Sequence, residues 1–110
     1  MLMYFGNAVC FYTNANVQIT GSSLTAGTWN HIALCKSSGS TKLYINGVQS
    51  GSTYTDSLNY IGFADRPVLG AEGVSVGSNP LNGYLQDVRV TKYARYTSNF
   101  TPPTQAFQTL

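Results

Sequence analysis

Gly27-Thr28-Trp29-Asn30-His31-Ile32-Ala33-Leu34-Cys35-Lys36, then Ser37-Ser38-Gly39-Ser40, then Thr41-Lys42-Leu43-Tyr44-Ile45-Asn46-Gly47 reads as two strands joined by a short reversal and followed by another. Successive side chains on a strand point to opposite sides. Over residues 29–36 that puts Trp29, His31, Ala33 and Cys35 on one face and Ile32 and Leu34 on the other. Both faces are apolar, which predicts a central strand with one face in a core between sheets and the other at least partly covered. The Ser-Ser-Gly-Ser stretch predicts a hairpin loop. In the strand that follows, over residues 41–46, Leu43 and Ile45 alternate with Lys42 and Tyr44, a half-solvated pattern. Asn46-Gly47 is a residue pair that tolerates the positive φ angles of a type I′ turn, so a second reversal is expected there.

Working outward, short β-branched and aromatic runs recur between Gly, Asn and Ser clusters, and no long segment shows helical spacing of apolar residues. Further strands are expected at residues 8–12, 17–20, 60–63, 74–76 and 84–91, with another at 2–5. This predicts an all-β chain, a two-sheet antiparallel β-sandwich of the jelly-roll kind. Within 84–91, Leu85 and Val88 cannot share a face by strict alternation, and a β-bulge near Gln86-Asp87 would reconcile them. Residues 51–73 read as loop, where ligand contacts on a rigid sandwich usually lie. Pro102-Pro103 predicts an extended tail. Residues 1–110 read as one domain without internal repeats.

Only 9% of the residues are charged, and six basic side chains against four acidic ones leave a net charge of +2. Neutral hydroxyls, amides and phenols must therefore solvate the surface. Such a surface suits hydroxylated ligands, or copies packed side by side with little charge to desolvate. Six basic residues are too few for the footprint of a nucleic-acid binder. No apolar stretch approaches the length of a membrane span, and the first ten residues lack a basic start and a small-residue cleavage site. Cys10 and Cys35 permit at most one disulfide; whether they pair or remain buried thiols depends on strand neighbours.

Residues 27–34, with Trp29, His31, Ile32 and Ala33, followed by Lys42-Leu43-Tyr44-Ile45-Asn46-Gly47, resemble the Trp-x-His-(Val/Ile)-Ala strand and next hairpin of laminin G-like, concanavalin A-like jelly rolls. Val74-Ser75-Val76-Gly77 and Leu81-Asn82-Gly83-Tyr84-Leu85-Gln86-Asp87-Val88-Arg89-Val90 look like that family's paired closing strands. The stretch from Tyr93 to Pro103 looks like the tail of such domains in phage tail and fibre proteins and bacterial surface proteins. The resemblance covers about residues 27–107. The family's domain usually opens with a further Phe-rich strand pair that has no visible counterpart here. That implies a compact variant, or a sandwich completed by another subunit, and hence an oligomer.

Several residue sets could carry chemistry. Glucanases of this fold use a Glu-x-Asp-x-Glu strand, whereas here Glu72 is the only Glu and Asp56, Asp65 and Asp87 are never two residues from another acid. Gly73-Val74-Ser75-Val76-Gly77 has the spacing of a serine-hydrolase elbow, but no helix pattern and no histidine follows it. His31 and Cys35, four apart on a strand, would be separated by about 13 Å, too far for a dyad. His31 is expected to be a packed imidazole donating to a backbone carbonyl. Calcium, bound by some laminin G relatives, could be held by Asp56, Asp65 and Glu72 in the long loop region; otherwise no cofactor is expected. Arg89, Lys92 and Arg95 interleave with Tyr93 and Tyr96. They could hold an acidic group, or the tyrosines could pack the C-terminal segment onto the sandwich.

Recognition of a neutral glycan needs an aromatic face and amides or carboxylates for the hydroxyls. Tyr54, Asn59, Tyr60, Asp65 and Arg66 supply these within one loop region. The expectation is a non-catalytic module that binds carbohydrate or cell-surface polysaccharide, on a virion fibre or an extracellular surface. The alternative is a structural virion decoration or filament subunit that assembles with copies of itself. Neither nucleic acid nor membrane insertion is expected.

Overall fold

The structure, a computed structural model, describes residues 2–6, 8–60, 68–71 and 78–108. The chain packs as two units, Met1–Ser57 with Val90–Leu110, and Leu58–Arg89. All described strands lie in the first, and among the described residues there is no helix.

One sheet is a three-stranded antiparallel meander of β1 (Leu2–Phe5), β2 (Val9–Thr13) and β3 (Asn16–Thr20). Between β2 and β3 the chain reverses at Asn14 and Ala15, whose φ angles of 50° and 60° are those of a type I′ turn. The register then slips, since Tyr12 faces Val17 while Phe11 faces Ile19, so Gln18 is an extra residue on β3. Its side-chain amide donates to Thr13 O at 3.0 Å, sealing a carbonyl beside the irregularity.

The second sheet holds β4 (Ile32–Ser37), β5 (Ser40–Ile45), β6 (Val48–Gln49) and β7 (Tyr54–Thr55). β5 is the centre: β4 pairs along one side, and β6 and β7 pair with successive parts of the other. Both anticipated reversals are present. Ser38 and Gly39 (φ 48° and 73°) join β4 to β5, and Asn46 and Gly47 (φ 51° and 83°) join β5 to β6. The two-residue loops match the right-handed twist of their strands, which fixes the register.

The inner faces of the two sheets meet at Val9, Phe11, Ile19 and Leu43, all fully buried. Burying each of these side chains contributes about 1.5–3 kcal/mol. Tyr54, opposite Thr41 in the register, tilts its ring against Phe11 with centroids 6.2 Å apart. Gly21 lets the end of β3 come in close, because a Cβ there would lie 2.8 Å from Leu43 Cδ2. A serine pair ties the sheets: Ser22 N donates to Ser50 Oγ at 2.8 Å, and Ser50 N donates to Leu43 O at 2.9 Å.

The two-sheet antiparallel β-sandwich is therefore present, with corrections in detail. The strand expected over 29–36 begins at Ile32, and among the described residues it pairs with β5 alone, so β5 takes the central place. β5 is not half-solvated, because Tyr44 on its outer face is fully buried under the C-terminal segment. Residues 84–91 form no strand. Asp87 has a φ of 54°, which breaks an extended run, and no described strand pairs with them, so Tyr84, Leu85, Val88 and Val90 stand in solvent. The strand expected at 74–76 and most of that at 60–63 lie outside the described residues. In the second unit, Leu81 N donates to Gly70 O at 2.8 Å.

Candidate functional site

The outer face of the second sheet carries His31, Ala33 and Cys35 from the β4 side and Lys42 and Tyr44 from β5, the face sharing that alternation predicts. The C-terminal segment lies across it. Phe100 N donates to Gly47 O at 2.9 Å, Asn99 Oδ1 accepts from Gln49 N at 2.9 Å, and Lys42 Nζ donates to Thr97 O at 3.0 Å. Tyr96 and Phe100 stack in parallel, 3.4 Å between centroids, and His31 meets both edge-on at 6.1 and 5.4 Å. Phe100 also meets Tyr44 edge-on at 5.5 Å. His31 is thus packed among rings. Burial, and secondarily the Cys35 thiol, pushes the Tyr44 phenol above its usual range.

Beside this aromatic cluster is a half-open hollow of about 220 Å³ lined by Cys35, Ser37, Ser40, Lys42, Tyr96 and Thr97. Tyr96 does pack the C-terminal segment onto the sheet, whereas Tyr93 is exposed with the Arg95 guanidinium 5.8 Å from its ring centre. Cys10 is buried on β2 and Cys35 half-buried on β4, and both are free thiols.

A second polar feature forms where β4 begins. Asn46 sits in the left-handed turn, and its Oδ1 accepts from His31 N at 2.8 Å while its Nδ2 donates to Asn30 Oδ1 at 3.0 Å. Asn30 Nδ2 in turn donates to Thr28 O at 3.1 Å. Side-chain amides therefore continue the ladder past the end of the strand and fix residues 28–31 in place. Trp29, between them, is 68% exposed. Sequence reasoning placed it on a strand face; its place outside β4 was not legible, because pairing stops at Ile32.

Of the residues expected at a glycan site, Tyr54 is half-buried against Phe11 in the first unit, Asn59 is exposed and Tyr60 half-buried in the second, and Asp65 and Arg66 lie outside the described residues. Of the residues considered for calcium, Asp65 and Glu72 also lie outside them, as does Ser75. Asp56 is almost fully buried. Its Oδ2 accepts from Thr41 Oγ1 at 2.7 Å, its Oδ1 lies 3.2 Å from Lys36 Nζ, and its backbone N donates to Gly39 O at 2.7 Å. This carboxylate joins β4, β5 and the segment after β7. Among the described residues, no group of three His, Cys, Asp or Glu side chains is placed to hold a metal ion.

Two antiparallel sheets that meet around an apolar centre define a β-sandwich domain. The chain matches the laminin G-type model of the concanavalin A-like lectin/glucanases superfamily over residues 5–99, and it belongs to that superfamily. The match reaches well upstream of residue 27, so β2 and β3 fall within the family's pattern. No curated protein and no solved structure matches the chain.

Proposed function

We propose that this domain is a non-catalytic recognition module that binds carbohydrate on a virion fibre or another extracellular surface. The observation that carries it is membership of a superfamily of lectins and glucanases over residues 5–99. Hydrolysis of a glycosidic bond calls for two carboxyl groups flanking the bond. This chain has a single Glu, and Asp56 is held by Thr41 and Lys36 inside the fold. A chain with only 9% charged residues has a surface rich in neutral polar groups, which favours binding of neutral, hydroxylated ligands. The test is retention of the purified chain on an array of neutral and acidic oligosaccharides, with release of reducing sugar measured alongside. Retention without hydrolysis supports the proposal. Hydrolysis, or no retention by well-folded protein, refutes it. The Asn59→Ala/Arg66→Ala variant then tests whether those residues take part.

One observation favours the alternative of a structural subunit that assembles with copies of itself. In the second unit Tyr84, Leu85 and Val88 are 49–89% exposed within five residues of sequence, and clustered exposed apolar side chains mark association surfaces. Light scattering separates the two: a monomer at micromolar concentration excludes the assembly role.

A further inference from the structure

The single tryptophan of the chain is 68% exposed, outside any strand, and takes part in no ring contact with the described aromatic residues. Trp is the side chain with the largest apolar area, and leaving it in water forfeits the burial that the fold could have obtained from it. Asn30 follows it in sequence and is hydrogen-bonded to Asn46, and both amides are already oriented, Asn46 by His31 N and Asn30, Asn30 by Thr28 O.

Each side-chain amide has two donor hydrogens and an oxygen with two lone pairs. Asn46 Nδ2 donates once, to Asn30, and Asn46 Oδ1 accepts once, from His31 N, within these contacts. Capacity remains on an exposed group whose rotamer is already fixed, so a ligand meeting it pays little ordering entropy. Thr28 adds a hydroxyl, itself donating to Thr25 O at 2.8 Å. No Asp, Glu, Lys or Arg lies between residues 16 and 35.

A flat apolar ring beside preset neutral donors and acceptors is the complement of a pyranose, which presents a C–H face and a rim of hydroxyls. We propose that Trp29, with the Asn30–Asn46 amide pair, forms the platform on which a neutral pyranoside stacks. This rests on the carbohydrate-recognition proposal and assigns its site to the start of β4 in place of the loop beyond β7. An anionic sugar is not expected there, since no cation stands among these residues.

Because the chain has one tryptophan, its fluorescence reports on this position alone. The experiment titrates the protein with neutral oligosaccharides of glucose, galactose, mannose and N-acetylglucosamine, following indole emission and, in parallel, calorimetric heat. The expected result is a saturable change in emission with the same Kd as the heat. Trp29→Ala should weaken binding at least about tenfold, as for a truncated aromatic anchor, with an unchanged melting temperature, and Trp29→Tyr should keep most of it. Calorimetric binding with silent emission, and Trp29→Ala binding as tightly as wild type, overturns the platform while leaving carbohydrate recognition standing. Absence of any sugar binding overturns both. Should Trp29→Ala fail to fold, the wild-type emission titration and Trp29→Tyr decide the matter.

Discussion

Replacing Asp56 by Ala removes a carboxylate that is 1% exposed and holds three parts of the sandwich together. The Thr41 hydroxyl, also 1% exposed, would lose its 2.7 Å acceptor inside the protein. A hydrogen bond to a charged group contributes about 1.5–3 kcal/mol, and a buried donor left unmatched keeps its desolvation cost. Lys36 sits 3.2 Å away with its side chain 32% exposed, so water can replace its partner, and that pair adds about 0.5–1 kcal/mol. The expected loss for Asp56→Ala is about 3 kcal/mol, at the lower end of the range for breaking a buried pair. For a domain of this size that is a fall in Tm of about 10–15 °C. Urea unfolding followed by far-UV circular dichroism measures it. Asp56→Asn keeps an oxygen for Thr41 and gives up only the charge, so it should cost about 1 kcal/mol. Thr41→Val combined with Asp56→Ala should cost less than the two changes added together, by at least about 1 kcal/mol. A loss under about 1 kcal/mol for Asp56→Ala would refute the argument. So would a calcium-induced rise in the wild-type midpoint that the variant lacks, which would move Asp56 to a metal-binding role.

Tyr44 has a fully buried hydroxyl with no hydrogen-bond partner among the described residues, so Tyr44→Phe should leave stability unchanged or raise it by up to about 1 kcal/mol in urea unfolding. Its folded-state pKa is raised above 10.0, so the stability linked to its proton is fully present below that pH and is lost as pH rises past it; Tyr44→Phe should flatten the alkaline fall in Tm. At Gly47, φ is 83° and an added Cβ would run into the Phe100 carbonyl and lie 2.9 Å from Pro102 Cδ. Gly47→Ala should cost at least about 2 kcal/mol, with left-handed backbone alone accounting for about 1–2. It should also release the C-terminal segment, seen as faster chymotrypsin cleavage after Tyr96 or Phe100; unchanged cleavage would show that Gly47 does not hold that segment.

The parts of this fold legible in the sequence are those decided within a few residues. Ser38-Gly39 and Asn46-Gly47 could be read as reversals because each holds a glycine, and the second an asparagine, for which the left-handed conformation is cheap, and the face sharing of β4 followed from alternation alone. The turn at Asn14-Ala15 was hidden because Ala carries no signal for the φ of 60° it adopts. β6 and β7 are two residues each, too short to show a period. Residues 84–91 show the opposite failure: the β-branched, alternating composition is there, but a strand exists only when another lies beside it, and that is a non-local fact.

The same division runs through the candidate site. Residue type suggested Tyr54 as an exposed stacking surface and Trp29 as a packed one, and the structure reverses them. Tyr54 faces inward because it stands opposite Thr41, on the same side of the sheet as Leu43, a register that depends on where the chain returns after Gly51. Trp29 lies beyond the ladder: past Ile32–Ile45 the next pair keeps one backbone bond, Asn46 N donating to His31 O at 2.8 Å, and the Asn46 side-chain oxygen takes the place of the backbone carbonyl in accepting from His31 N. One turn residue therefore does two things. It reverses the chain toward β6, and it holds the residues that directly follow the only tryptophan, which makes Asn46 the link between the hairpin that defines the fold and the surface proposed to bind sugar.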